Sequence, residues 1–272
     1  MNIPLMHHSL KIIAGLLFLN TSYAYAQYDL YVGLGGLNYR LLEHDLYSNK
    51  QLVKESGILP SINYGLNYQF HPKFLLHIQA QQSYGVVDYD GQTQTGIPHQ
   101  SDSTHLLSQG AASIGYLFLE QSELYIGLHG QQDLRDVANR NGVYGATEIY
   151  TKLFSKIGLK QVVKFNTAHS LSLFAESYQP FFAESYVDSR VSDDVTLSLK
   201  KGSAKAWGVK YLYQYSPTKG LFLDYRDFSA RYQQSSQASQ TFYGQATGKF
   251  LYQPPIQFKQ HTLAAGMTWY FD

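Results

Sequence analysis

Cysteine is absent from the 272 residues, which removes disulfide scaffolds and thiolate metal sites and suits export into an oxidising periplasm. Charge is sparse and balanced. With 21 basic against 20 acidic residues the formal net charge is +1, so no basic field argues for nucleic acid. Long apolar runs are lacking too: the run at residues 12–19 is far short of the ~20 residues a membrane-spanning helix needs, and nothing later is longer and continuous. Any membrane role must therefore use strands. Tryptophan is scarce at 2 residues, yet there are 24 Tyr and 15 Phe. Tyrosine suits a boundary between hydrocarbon and water, but a soluble β-sandwich also uses it, so the count alone does not separate the two.

The first residues read as a secretion signal. Lys11 precedes the short apolar run, and a polar stretch leads to Ala24-Tyr25-Ala26, a small-x-small cleavage site. The expected division is a cleaved signal peptide over 1–26 and a single barrel domain over 27–272. His7 and His8 leave with the signal.

Beyond it, hydrophobicity alternates with the period of a strand. Ile58, Pro60, Ile62, Tyr64, Leu66, Tyr68 and Phe70 share one face, and Ser61, Asn63, Gly65, Asn67 and Gln69 the other. Leu76-x-Ile78-x-Ala80, Leu124-x-Ile126-x-Leu128 and Leu263-x-Ala265-x-Met267-x-Trp269-x-Phe271 repeat the pattern. Around Trp207–Gln214 and Leu221–Arg226 it recurs with single exceptions at Leu212 and Phe222. A soluble sandwich turns such an apolar face inward, whereas a membrane barrel turns it toward lipid.

The connections alternate in length. Short turns at 71–73, 120–122, 166–169 and 216–219 separate longer polar stretches at roughly 42–56, 89–103, 133–143, 183–202 and 233–257. Short periplasmic turns and longer extracellular loops are the mark of a transmembrane barrel, and a sandwich has no reason to keep one end short. The fold class is therefore all-β, an antiparallel up-and-down transmembrane β-barrel. Ten strands are expected, at about 28–41, 57–70, 74–88, 104–119, 123–132, 144–165, 170–182, 203–215, 220–232 and 258–271. An additional hairpin arm within 241–252 would raise the number to twelve. The sixth segment exceeds the ~9–11 residues needed to cross and should project beyond the membrane. Gln161 falls on its lipid face, which points to a bulge or a mistaken register there. Gly33, Gly35 and Gly36 are followed by no helical pattern, so they mark a bend in a strand rather than a nucleotide loop, and no cofactor is expected.

The last strand resembles that of bacterial outer-membrane barrels, which commonly end in polar-x-Gly-x-x-aromatic-x-aromatic. Here the segment is Ala264-Ala-Gly266-Met-Thr-Trp269-Tyr-Phe271, followed by Asp272. Gly266, Trp269 and Phe271 are in register, and Ala264 departs from the polar position. The resemblance implies an outer-membrane location and recognition of this strand by the barrel-assembly machinery. It also makes outer-membrane lipid and lipopolysaccharide the surroundings. A monomer is expected.

A second resemblance is to the omptin proteases, ten-stranded barrels with an Asp-x-Asp pair on one rim and an Asp-x-His pair opposite. Asp88-Tyr-Asp90 stands at the matching place, but residues 186–194 hold no His two positions after an Asp. Without that general base the catalytic set is incomplete. His169-Ser170 lies in a periplasmic turn, where neighbours in sequence rarely align as base and nucleophile. His99 and His105, with Asp102 or Asp90, give only a loose metal pattern, and no metal is expected.

The lumen is more informative. Lys156, Lys160 and Lys164 fall on the inward face of the sixth strand, Glu176 on the seventh, Lys210 on the eighth, and Asp224 and Arg226 on the ninth. Both signs in a narrow interior should pair and plug it, because unpaired buried charges are costly. Three functions follow: a closed barrel whose loops bind an unidentified extracellular ligand, a narrow channel favouring anions along the lysine row, and an omptin-like hydrolase using Asp88 and Asp90.

Overall fold

The structure is a computed structural model describing residues 27–92 and 96–271; the expected signal peptide and Asp272 lie outside the described residues. All of its regular structure is β. In chain order the strands are β1 (Gln27–His44), β2 (Gln51–His71), β3 (Phe74–Gln92), β4 (Pro98–Leu119), β5 (Ser122–Val137), β6 (Ala146–Lys164) and β7 (His169–Ser189). They continue as β8 (Val195–Ser198), β9 (Lys200–Ser216), β10 (Lys219–Gln233), β11 (Ala238–Phe242), β12 (Gln245–Leu251) and β13 (Ile256–Phe271).

Ten of these close into an antiparallel barrel in the order β1-β2-β3-β4-β5-β6-β7-β9-β10-β13, with β13 returning to β1. Closure pairs the backbone groups of both terminal strands, the condition for a strand wall to stand in hydrocarbon. The seam needs close backbone approach. A side chain at Gly35 would strike the Leu263 carbonyl, and one at Gly266 the Val32 carbonyl. β8 extends the wall as a short partner of β7.

The outer wall is apolar. Leu30, Val32, Leu34, Ile78, Ile114, Ile126, Leu128, Ile157, Leu221, Leu223 and Leu263 are all exposed on it. Phe70, Phe74 and Tyr116 gather at the short-turn rim, and Tyr28 stacks on Phe271 at 4.8 Å. Such a surface is stable only in lipid, so the chain is a β-barrel of the bacterial outer membrane. The short turns mark its periplasmic end.

Several details correct the sequence reading. The polar stretches at 42–56 and 183–202 are largely wall rather than loop, as are 89–92, 98–103 and 133–137: β4 is 22 residues long, and β2 and β7 are 21 each. Beyond the apolar belt the outer face turns polar while the inner face mixes buried charge (Glu55, Asp133, Arg135) with apolar side chains (Leu41, Val53, Val87, Ile256), so the ladder continues where the alternation of hydrophobicity stops. Projection is thus general and not confined to the sixth strand. The twelve-strand alternative fails, since β11 and β12 pair only with each other. At 5 and 7 residues they are also too short to cross. No bulge occurs at Gln161. The register shift in β6 lies between Leu153 and Phe154, opposite Pro180 of β7, which has no N–H to offer the ladder. Gln161 instead sits near the periplasmic rim, accepting from Ser122 Oγ at 2.5 Å and donating to the Val162 carbonyl at 3.0 Å.

Candidate functional site

Inward positions on successive strands divide the lumen into layers. At the periplasmic end is an open vestibule of about 910 Å³, reaching the β6–β7 turn at Asn166–His169. Lys164 is exposed at its rim, and Lys156, Lys160, Lys210, Asp224, Arg226 and Glu176 line it. Its wall is tied by Asn67, which donates to Asp29 at 2.8 Å and meets His77 Nδ1 at 2.6 Å. His77 Nε2 lies 2.5 Å from Glu123, whose other oxygen accepts from Lys160 at 3.0 Å.

Deeper in, one carboxylate gathers four donors. Glu176 Oε1 accepts from Lys156 Nζ at 3.2 Å and from Tyr125 at 3.0 Å. Its Oε2 accepts from Arg226 Nη2 and from Tyr178, each at 2.5 Å. Lys210 Nζ lies 4.3 Å from the ring centres of both Tyr31 and Phe222, a cation held against two aromatic faces. Its cross-strand partner Asp224 has one buried oxygen with no hydrogen-bond partner.

Above this layer, His129, Phe154, Tyr178 and Phe228 pack with ring centres 5.4–6.3 Å apart. The cavity beside them is only about 70 Å³. Lys152 is fully buried, its Nζ 3.3 Å from the Phe258 ring centre.

The outer half holds a second charge network. Arg135 binds Glu55 at 2.7 Å, Glu148 at 2.7 Å and Glu43 at 3.6 Å. His105 lies between Glu55 at 3.0 Å and Asp133 at 2.9 Å, and Tyr39 donates to Asp133 at 2.8 Å. Residues 42–56 and 133–143 read as loops in the sequence, so most of this network was not anticipated; unbroken strand pairing was the missing signal. Ser103 Oγ stands 3.2 Å from His105 Nε2, giving a Ser-His-Asp order. It is not a nucleophile site. Both ring nitrogens of His105 face carboxylates, leaving no lone pair for the serine proton, and all three side chains are fully buried.

Other candidates do not converge. Asp88 and Asp90 are exposed on the outer face of β3, while Val87 and Tyr89 take the inner face. A one-residue difference in facing directs the omptin-like pair away from the lumen. His99 and His105 point inward on β4 and Asp102 outward, so the loose metal pattern comes apart. His169 opens β7 and bonds Tyr211 at 2.6 Å, not Ser170. Trp269 is half-buried on the outer face of β13.

Two further features face outward. Beyond the apolar belt the outward face of β9, β10, β13 and β1 carries Lys205, Arg231, Lys259 and Arg40 with Asp227 among them, and that of β2–β5 carries Lys54 with Asp88, Asp90, Asp102 and Asp136. The β11–β12 hairpin turns through Tyr243 and Gly244, both at positive φ (50° and 75°). It presents Phe242, Tyr243 and Phe250 to solvent. Asp193, in the loop after β7, clips this turn, accepting from Tyr243 N at 3.0 Å and Gly244 N at 2.8 Å. Bonds from Thr241 and from these backbone groups hold the Asp193 carboxyl below its ordinary range.

No protein-family model matches the chain, and no curated protein matches it. Among solved structures it is similar to the outer membrane protease OmpT from Escherichia coli, at 12% identity over 94% of this chain and 99% of that one, with a TM-score of 0.60. Similarity also extends to the translocator domain of the autotransporter NalP from Neisseria meningitidis (9% identity, 96% and 92% coverage, TM-score 0.44). A third similar structure is OprG from Pseudomonas aeruginosa (9%, 90% and 96%, TM-score 0.38). At these identities the likeness is one of fold: an outer-membrane β-barrel.

Proposed function

We propose that the protein is a non-conducting outer-membrane barrel that presents an aromatic hairpin at the cell surface for attachment. The observation that carries this reading is the filled lumen: Tyr39, His105, Asp133, Arg135, Tyr150, Lys152, Phe154 and Phe258 each expose 2% or less. Interlocked charge and stacked rings above a blind vestibule favour a plug over a path for solutes. The exposed Phe242, Tyr243 and Phe250, held on a clamped hairpin, supply apolar area at low entropic cost on binding. A monomer fits this reading, as does assembly through the strand carrying Gly266, Trp269 and Phe271.

Planar-bilayer recording of the purified protein tests the plug; silence is expected, and reproducible conductance steps would overturn it. Attachment is tested on cells displaying the protein, by partition to a hexadecane–water interface. Phe242→Ser with Tyr243→Ser should lower partition several-fold, and unchanged partition removes the hairpin from the account.

A further inference from the structure

We propose that the periplasmic vestibule holds a binding site for a small zwitterion of the amino-acid type, with its carboxylate on Lys210 and its ammonium on Asp224. The inference goes beyond the attachment reading and holds whether or not the lumen is closed above the vestibule.

Most of the charge in the vestibule is spent within it. Lys156, Lys160, Lys164, Lys210 and Arg226 line it against Asp29, Glu176 and Asp224. Lys156 and Arg226 share Glu176, Lys160 is held by Glu123, and Asp29 accepts from Asn67. Lys164 stands exposed at the rim. Lys210 and Asp224 are left over.

These two stand side by side without meeting. The register sets Lys210 of β9 directly opposite Asp224 of β10, where Cβ atoms lie roughly 4.5–5.5 Å apart, yet no ion pair within 4 Å joins them. Lys210 Nζ rests instead against the faces of Tyr31 and Phe222, which attract its charge but leave its N–H donors free. Asp224 Oδ1 is buried with no donor. On β13, the strand next to β10, Thr268 is 3% exposed and lines the same cavity with its Oγ1 unpartnered. The Tyr270 hydroxyl, two residues further along the same inward face, is likewise buried and unpartnered. Buried polar groups are nearly always satisfied, so four unspent groups on three adjacent strands mark a place for a polar ligand.

The chemistry of the set selects the ligand. It offers one cation, one carboxylate and two hydroxyls. A simple anion would satisfy Lys210 and be repelled by Asp224, and a simple cation would do the reverse. A molecule carrying both charges meets each with its opposite, in charge-assisted hydrogen bonds. The hydroxyls of Thr268 and Tyr270 can donate to its carboxylate or accept from its ammonium. At about 910 Å³ and open to the periplasm, the vestibule admits such a molecule and leaves room for varied side chains.

The test uses the full-length mature protein in detergent and saturation-transfer NMR titrations of three probes of similar size. L-Serine carries both charges, glycerate has a hydroxyl in place of the ammonium, and ethanolamine lacks the carboxylate. Serine should bind at least 10-fold more tightly than either of the others. Asp224→Asn should remove its advantage over glycerate. Lys210→Met, which keeps apolar contact with Tyr31 and Phe222, should remove its advantage over ethanolamine. Heat-modifiable gel migration confirms that each variant is folded. Thr268→Val, uncharged and close in shape, serves if a charge variant is not, and should weaken serine several-fold. No saturable binding of serine, equal binding of the three probes by the wild type, or an undiminished preference in folded variants overturns the site. Glycerate binding as tightly as serine overturns the zwitterion assignment.

Discussion

Removing the Glu176 carboxylate is the sharpest perturbation of the lumen. Glu176→Ala strips Lys156 and Arg226 of their shared counter-ion and leaves Tyr125 and Tyr178 without an acceptor. Breaking a buried pair by deleting one partner costs about 3–5 kcal/mol, because a charge is left uncompensated. Lys156 is only 2% exposed, but Arg226 is 22% exposed toward the vestibule, and water there offsets part of the loss. The lower end, about 3 kcal/mol, is therefore expected, roughly a hundredfold in the folded-to-unfolded ratio. The assay is urea unfolding in lipid vesicles, followed by the fluorescence of Trp207 and Trp269. Adding Lys156→Met should recover part of the loss, since it removes one stranded charge. A change below about 0.5 kcal/mol for Glu176→Ala would refute the view that ion pairing, rather than wall hydrogen bonding alone, holds the lumen closed.

Two other outcomes follow. Gly266→Val sets a side chain against the Val32 carbonyl and should prevent seam closure, read as loss of heat-modifiable migration; Ala265→Val, facing lipid one residue away, should not. The Asp193 clamp depends on an ionised carboxylate whose folded value is lowered below the ordinary 3.8. Its contribution is then complete above about pH 3.8 and lost as pH falls through the lower folded value. Amide exchange at Tyr243 and Gly244 should accelerate only in that acid window, and Asp193→Ala should remove the pH dependence.

The fold was legible where lipid touches the wall. Segments such as Ile58–Phe70 must be apolar on one side and polar on the other, and that contrast is visible in one dimension. For the same reason Lys156, Glu176 and Arg226 could each be put on a face. What could not be read was their meeting on one carboxylate: β6 and β7 are neighbours in a hairpin, but Arg226 of β10 reaches Glu176 only because the wall curves across β9. The outer network was hidden for a different reason. Around Glu55 and Arg135 the outer face is polar and the inner face mixes charge with apolar residues such as Val53 and Val137, so hydrophobicity no longer reports the period although the ladder continues. Asp88 and Asp90 show what a spacing motif leaves open: which side of the strand its residues face, here the outer one.

The β1–β13 seam has a consequence for how the barrel comes into being. Tyr28 pairs with Phe271, so the first wall residues wait for the last before their hydrogen bonds are complete. Contacts so distant in sequence are slow to form and give no partial reward. Until they do, the growing sheet carries two bare edges, each a template for pairing with the wrong chain. A chain cut short by even one strand would be left with a permanently open edge in hydrocarbon. Truncation should therefore act as all-or-none, with the shortened product cleared or aggregated rather than inserted as a smaller barrel.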